Sequence, residues 1–255
     1  MLRFMFVGDS MTIGSAGEHT WRHRMWQHLR SSLGEPGELG EPGELGEPGG
    51  EGFAVVGPRL TLHDKTTGEP TSHAYADGTD PAFPRNHLAG WGEGWLHMAP
   101  QIADAVTRDR PDVLLISLGL IDLGFYTNAE QTAENMRRFV AQARTANPHI
   151  RMVMLPVIPN VRARTDAPFA AEVARFNTLL AKAVADLDTG TSPLLLASSP
   201  PSYDIDVDTY DGTHPNASGE HRLAGAFADA MHQAWGVGAP YGTTRPELLN
   251  SLTTG

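Results

Sequence analysis

Short apolar runs alternate with longer amphipathic stretches along almost the whole chain, and this alternation constrains the fold more than any other feature. Residues 2–7, 53–56, 113–118, 151–157 and 194–197 are rich in Val, Leu, Ile, Met and Phe. Runs without a polar alternate are the pattern of strands covered on both faces. Between them, residues 20–33, 95–108, 129–146, 168–187 and 216–235 carry helical periodicity. In the first of these, Trp21, Met25 and Leu29 share one face, while His19, Arg22, Arg24 and His28 are expected on the other. Asn147-Pro148 stops the third helix. Strands alternating with helices call for a mainly parallel sheet covered on both sides, an α/β fold built as a three-layer α/β/α sandwich. Ligands of such sheets bind outside the carboxyl ends of the strands. The positions to inspect are therefore Ser10, residues 119–122 and 156–160, and the loop that carries His214.

Two stretches interrupt the alternation. From Gly34 the hexapeptide Gly-Glu-Pro-Gly-Glu-Leu occurs twice, and a third copy begins at Gly46. Gly and Pro block helix and strand, and the Glu residues keep the segment solvated. Glycine recurs at every third position, but a collagen helix needs three chains and far greater length. Residues 34–52 are read as an expanded surface loop. Residues 61–87 are long and irregular, and long loops within compact domains are often functional. Residues 1–236 are expected to form a single domain and residues 237–255 a surface tail.

A net charge of −11 over 255 residues argues against nucleic acid as a partner, which requires a basic footprint. The chain has no cysteine, which excludes disulfides and thiolate chemistry. No apolar run reaches the length of a membrane span, so no membrane partner is expected. No charged segment and apolar stretch of a secretory signal precede the first strand. The expected location is cytoplasmic if Met1 is the natural start, and secreted if a signal peptide has been removed.

Acyl transfer by serine needs a hydroxyl, a base to take its proton, a group to orient that base, and donors for the developing oxyanion. Gly8-Asp9-Ser10 sits where the first strand ends, so the hydroxyl can stand at the sheet's carboxyl edge. Alone, the tripeptide is also an ordinary turn with Asp9 capping backbone N–H groups. Asp211-Gly212-Thr213-His214-Pro215-Asn216 lies in a polar loop before the last helix. Asp and His three residues apart can share a hydrogen bond. Alone, this is also an Asx turn beside a solvated histidine.

Taken together, Phe6-Val7-Gly8-Asp9-Ser10-Met11-Thr12 and Asp211-Gly212-Thr213-His214-Pro215-Asn216 resemble the SGNH (GDSL-type) esterase and lipase superfamily. The resemblance implies a flavodoxin-like sheet, a nucleophile at Ser10, a base at His214 and an orienting acid at Asp211. It implies oxyanion donors from the Ser10 amide and from a glycine in the Asn86–Trp91 stretch, taken as Gly90, with Gly92 and Gly94 as competitors. In the family's Gly-x-Asn-Asp block, Gly119-Leu120-Ile121-Asp122 has Ile121 where the family has asparagine. An isoleucine cannot donate to an oxyanion, so Asn86 or Asn160 is a candidate substitute. Asp9, Met11, Trp91, Leu120, Ile121 and Asp122 are expected around the substrate. Residues 20–26 and the Gly90-Trp91 pair look most like bacterial carbohydrate esterases. The implied reaction is hydrolysis of a small-molecule ester of a short acyl group, including O-acetyl groups on a sugar or other acylated carbohydrate. The alternative is an acyltransferase or a weakly catalytic ligand-binding relative, because of Ile121. No cofactor or metal is implied: the histidines nowhere combine i, i+4 spacing with a carboxylate base, and no Gly-x-Gly-x-x-Gly or P-loop lysine follows the first strand.

Overall fold

Strand β1 (Leu2–Gly8) is buried from Phe4 onward and is an interior strand of the sheet in the computed structural model, which describes residues 1–37 and 52–242. On one side it pairs with β2 (Phe53–Val56), and on the other with β4 (Val113–Ser117), in register Phe4 with Val113 through Gly8 with Ser117. Where β2 ends, the two-residue β3 (Leu88–Ala89) continues the pairing against Val7 and Gly8. Strands β5 (Arg151–Leu155) and β6 (Leu194–Leu196) complete the order β2-β1-β4-β5-β6, every pairing parallel. The chain leaves β1 for β2 on one side and for β4 on the other. That divergence opens a crevice at the carboxyl end of β1.

Helices flank the sheet. The four-residue α1 (Ser10–Ile13) follows β1 directly, and α2 (Thr20–Leu33) packs against the final helix α9 (Ala217–Trp235). A second group contains α3 (Trp95–Met98), α4 (Ile102–Asp109), α5 (Ala129–Ala146) and α7 (Ala167–Leu187). The short α6 (Val161–Thr165) and α8 (Ile205–Asp208) lie after β5 and β6. The single helix expected over 95–108 is two, because Pro100 lies between α3 and α4 and cannot donate within a helix. Asn128, Asp166 and Asn216 cap α5, α7 and α9 through their side-chain oxygens.

The reading of α2 as having one polar outer face is corrected. Arg22, His23 and His28 are buried along with Trp21, Met25 and Leu29. Helix α2 is covered on two sides, by α9 and by the irregular loop around Tyr75 and Phe83. The cost of burying the Arg22 charge is offset because each of its nitrogens finds an acceptor. Nε donates to the Thr12 carbonyl, Nη2 to the Ile13 carbonyl and to the Tyr75 hydroxyl, and Nη1 to the Arg85 carbonyl. Two of these carbonyls belong to α1, so the arginine satisfies the end of the turn that carries Ser10.

Residues 38–51, which hold most of the hexapeptide repeat, lie outside the described residues, as do residues 243–255. Of the expected tail, the part up to 242 lies against the fold. Val237 is buried, and the Tyr241 ring stands 5.1 Å from the His28 ring while its N–H donates to Asp229. Among the described residues no helix is long and apolar enough to cross a membrane.

Candidate active site

The tight turn after β1 depends on Gly8. A Cβ there would stand 2.0 Å from Thr12 Oγ1 and 2.9 Å from the Ser117 carbonyl oxygen, so any side chain would push α1 off the strand. Asp9 then caps α1, accepting from the Met11 N–H at 3.0 Å. This places Ser10 at the first position of the helix, at the crevice, with its side chain largely enclosed.

The second segment reaches the same point from far along the chain. Asp211 Oδ1 accepts from the backbone N–H groups of Thr213 and His214, at 2.9 and 2.7 Å. Its Oδ2 lies 2.7 Å from His214 Nδ1. The Asx turn and the Asp–His contact coexist, because one carboxylate oxygen makes the turn and the other meets the imidazole, while the histidine itself is not solvated as the simple-turn reading had it. Gly212 has φ +85° and donates to Thr209 Oγ1, and its own carbonyl accepts from Val161 N–H at 2.7 Å. A Cβ at Gly212 would fall 2.6 Å from that of Val161. The loop is thus fastened to the start of α6.

His214 Nε2 lies 2.9 Å from Ser10 Oγ. Because the Asp211 carboxylate only accepts, Nδ1–H donates to it, and the Ser10 hydroxyl donates to Nε2. Burial pushes the Asp211 carboxyl up, but the backbone and side chain of His214 and the Thr213 N–H outweigh it and hold the carboxyl below its ordinary value. It is therefore ionised at neutral pH.

Beside Ser10 and His214 opens a cavity of about 410 Å³, walled mainly by apolar groups: Trp91, Leu120, Ile121, Phe125, Tyr126 and Phe169. Gly92, Asn160, Arg162 and Thr213 complete its lining. Phe125 and Tyr126 belong to a π-helical turn, Asp122–Tyr126, and stay largely exposed. Such turns recur at functional sites. Arg162 lies 4.2 Å above the Phe169 ring and donates to the Gly124 carbonyl, joining α6 to that turn.

Of the residues expected around the substrate, Trp91, Leu120 and Ile121 line this cavity. Asp9, Met11 and Asp122 do not. Asp9 is fully buried as a cap, Met11 points into the core, and Asp122 accepts from the N–H groups of Trp95 and Leu96 at the start of α3. Gly90 is also corrected. Its N–H donates to the Gly8 carbonyl at 3.1 Å, continuing the β3 pairing, and the residue does not line the cavity. Gly94 packs on Asp122, and the Asn86 amide donates to the Gly57 carbonyl. Gly92 and Asn160 are the members of those alternatives that reach the cavity. Asn160 Oδ1 caps α6 at Ala163, and its Nδ2 donates one of two hydrogens to the Ile158 carbonyl. Sequence reasoning missed Phe125, Tyr126, Arg162 and Phe169. The signal for the first two was their place just after the carboxyl end of β4. Among the described residues, no group of three or more His, Asp or Glu side chains converges as a metal site.

Asp9 has a further property. Full burial, and less strongly the Asp122 charge, raise its carboxyl to about 7, against a partial lowering by the Met11 N–H. Its Oδ2 has no hydrogen-bond partner. An acid whose folded value exceeds its unfolded value takes up a proton on folding. Its stabilising contribution is therefore complete below the unfolded value of 3.8 and is lost as pH rises through about 7. The full span is worth about 4 kcal/mol. Asp9→Asn keeps the cap oxygen and removes the titration. Urea unfolding at pH 4 to 8 should show the variant gaining on the wild type as pH rises, and parallel curves would refute the assignment.

A parallel α/β/α sandwich with a serine, a histidine and an aspartate joined at the carboxyl edge of its sheet is an architecture suited to acyl transfer, and the family match makes the class a carboxylic ester hydrolase. The chain belongs to the GDSL-like lipase/acylhydrolase family, whose model matches residues 56–222, a span that includes Asp211 and His214 and begins after Ser10. Solved structures share the fold. A carbohydrate esterase family 3 protein from Talaromyces cellulolyticus aligns at 24% identity with a TM-score of 0.67, over 91% of this chain and 97% of its own. A family 3 carbohydrate esterase of Clostridium thermocellum gives 17% and 0.65, over 91% and 96%. A mutant of Axe2, an acetyl-xylooligosaccharide esterase from Geobacillus Stearmophilus, gives 14% and 0.60, over 90% and 94%. No curated protein matches by sequence.

Proposed function

We propose that the protein hydrolyses esters of short acyl groups, O-acetyl groups on a sugar foremost, through an acyl-enzyme at Ser10. The hydrogen-bonded relay from Ser10 through His214 to Asp211, at 2.9 and 2.7 Å, carries this reading. His214 Nε2 takes the hydroxyl proton as Ser10 Oγ attacks the ester carbonyl, and the resulting imidazolium faces the Asp211 carboxylate. It then protonates the departing alcohol. A water, activated by the same nitrogen, releases the acid and restores Ser10. The oxyanion is met by the amides of Ser10 and Gly92 and by the Asn160 side chain, in place of the asparagine that Ile121 replaces.

Two observations support a sugar as the alcohol. The structural neighbours include carbohydrate esterases. A second, polar cleft of about 710 Å³, with Arg59, Glu69, His73 and Glu93 in its wall, adjoins the apolar cavity along Trp91. A second reading, acyl transfer to an alcohol, is favoured by Ile121 and the apolar wall, which hold water weakly. Mass spectrometry of the acid-quenched enzyme after mixing with p-nitrophenyl acetate should find the acetyl group on the peptide containing Ser10. An acyl group elsewhere, or none, would overturn the proposal. Product analysis with added glycerol separates hydrolysis from transfer.

A further inference from the structure

The His214 side chain is held more loosely by its hydrogen bonds than the relay suggests. Its Asp211 partner is 43% exposed, so water competes for that carboxylate. Both bonds also lie in the plane of the imidazole and resist out-of-plane swing poorly. What stands against the faces of the ring is aromatic. The Trp91 ring lies 4.8 Å away at an interplanar angle of 14°, and the Tyr210 ring 5.7 Å away at 15°. Beyond Trp91, the His63 ring stacks 4.0 Å away at 16°. These four near-parallel rings come from three separate stretches of chain. Tyr210 is tied to the same loop by its N–H, which donates to the His214 carbonyl at 3.1 Å.

The geometry points to Tyr210 and Trp91 as positioning residues that hold the His214 ring in line with Ser10 and stabilise, through their π faces, the charge it gains during attack. This rests on the reading of His214 as the base. During attack the imidazole gains a proton from Ser10 and a unit of charge. An aromatic face attracts a cation electrostatically, and more strongly when water is excluded. The stack therefore acts more on the transition state than on the resting enzyme, which is the condition for raising kcat. The charged and titratable groups around the stack are the Asp211 carboxylate, His63 beside Trp91, Lys65, whose Nζ stands 4.8 Å from the Tyr210 ring centroid, and Glu18, which pairs with Lys65 at 3.8 Å and meets the Tyr210 hydroxyl. Burial keeps His63 below its ordinary value, so it stands beside Trp91 as a neutral ring. Burial and the Glu18 carboxylate push the Tyr210 phenol up, so it too is neutral.

Tyr210 is the decisive test because, unlike Trp91, it does not line the cavity. Tyr210→Leu should lower kcat for p-nitrophenyl acetate about tenfold with KM within twofold, and slow the labelling of Ser10 by diethyl p-nitrophenyl phosphate in parallel. Tyr210→Phe, which restores the ring without the hydroxyl, should recover at least half of the wild-type rate. Wild-type kcat in Tyr210→Leu overturns the proposal. So does a Phe variant as slow as the Leu variant, or a loss confined to KM. Should Tyr210→Leu fail to fold by circular dichroism, Trp91→Leu against Trp91→Phe is read the same way on kcat. A fully active His214→Ala would instead remove the underlying triad reading.

Discussion

Ser10→Ala should lower kcat on a short-chain ester by about 10⁴-fold or more, and His214→Ala by a similar factor. The two groups act as one unit, since without the base the hydroxyl is a poor nucleophile, and without the hydroxyl the base has nothing to activate. The double variant should therefore be no slower than either single one, although independent contributions would multiply. KM should stay within a few-fold, because the cavity walls and the oxyanion donors remain. Asp211→Asn should be milder than either, provided the amide oxygen still accepts from the Thr213 and His214 N–H groups and the turn survives. Steady-state rates on p-nitrophenyl acetate, with protein purified to exclude host esterases, give the answer. A Ser10→Ala variant within tenfold of the wild type would remove Ser10 from the chemistry.

Asn160→Ser should lower kcat about 10²-fold, the loss associated with one oxyanion donor. Ile121 leaves this chain without the asparagine its family places after the central strand. Asn160 arrives at the same cavity from the loop after β5 and retains an amide hydrogen beyond the one given to Ile158. Serine is chosen because it also caps helices, so α6 should persist, while its hydroxyl is too short to reach the same point. Asn160→Asp should be slower still, since a carboxylate offers only acceptors to a developing negative charge. Measured kcat, with the melting temperature within a few degrees of wild type, is the criterion. A Ser variant at the wild-type rate would leave the oxyanion to backbone amides alone.

The framework was legible in the sequence because burial leaves local marks. Strand β1 reads as a run of Phe, Met and Val, and α5 as apolar positions at helical spacing ended by Asn147-Pro148. Gly8-Asp9-Ser10 and the Asp211–Asn216 loop are each an ordinary turn alone, and were legible only in combination, through the family resemblance the two carry together. What was not legible depends on partners distant in sequence. Arg22 reads as a surface residue until four acceptors from three segments surround it. Gly90 and Gly92 are equivalent in sequence, and only the pairing of β3 with β1 decides that one amide is spent and the other lies at the cavity. The break at Pro100 has a local cause, since proline cannot donate within a helix. The π-helical turn has no sequence signature of its own, so its two exposed rings could be placed near the site only through the fold.

Ser10 and His214 are 204 residues apart, and the contacts that support their meeting are equally remote. Glu220, at the start of α9, accepts from the Thr20 N–H and pairs with Arg24 at the start of α2. On the triad proposed above, the base meets the nucleophile only once α9 has docked against α2, so ester turnover should report completed folding, and a chain cut before α9 should be inactive toward esters.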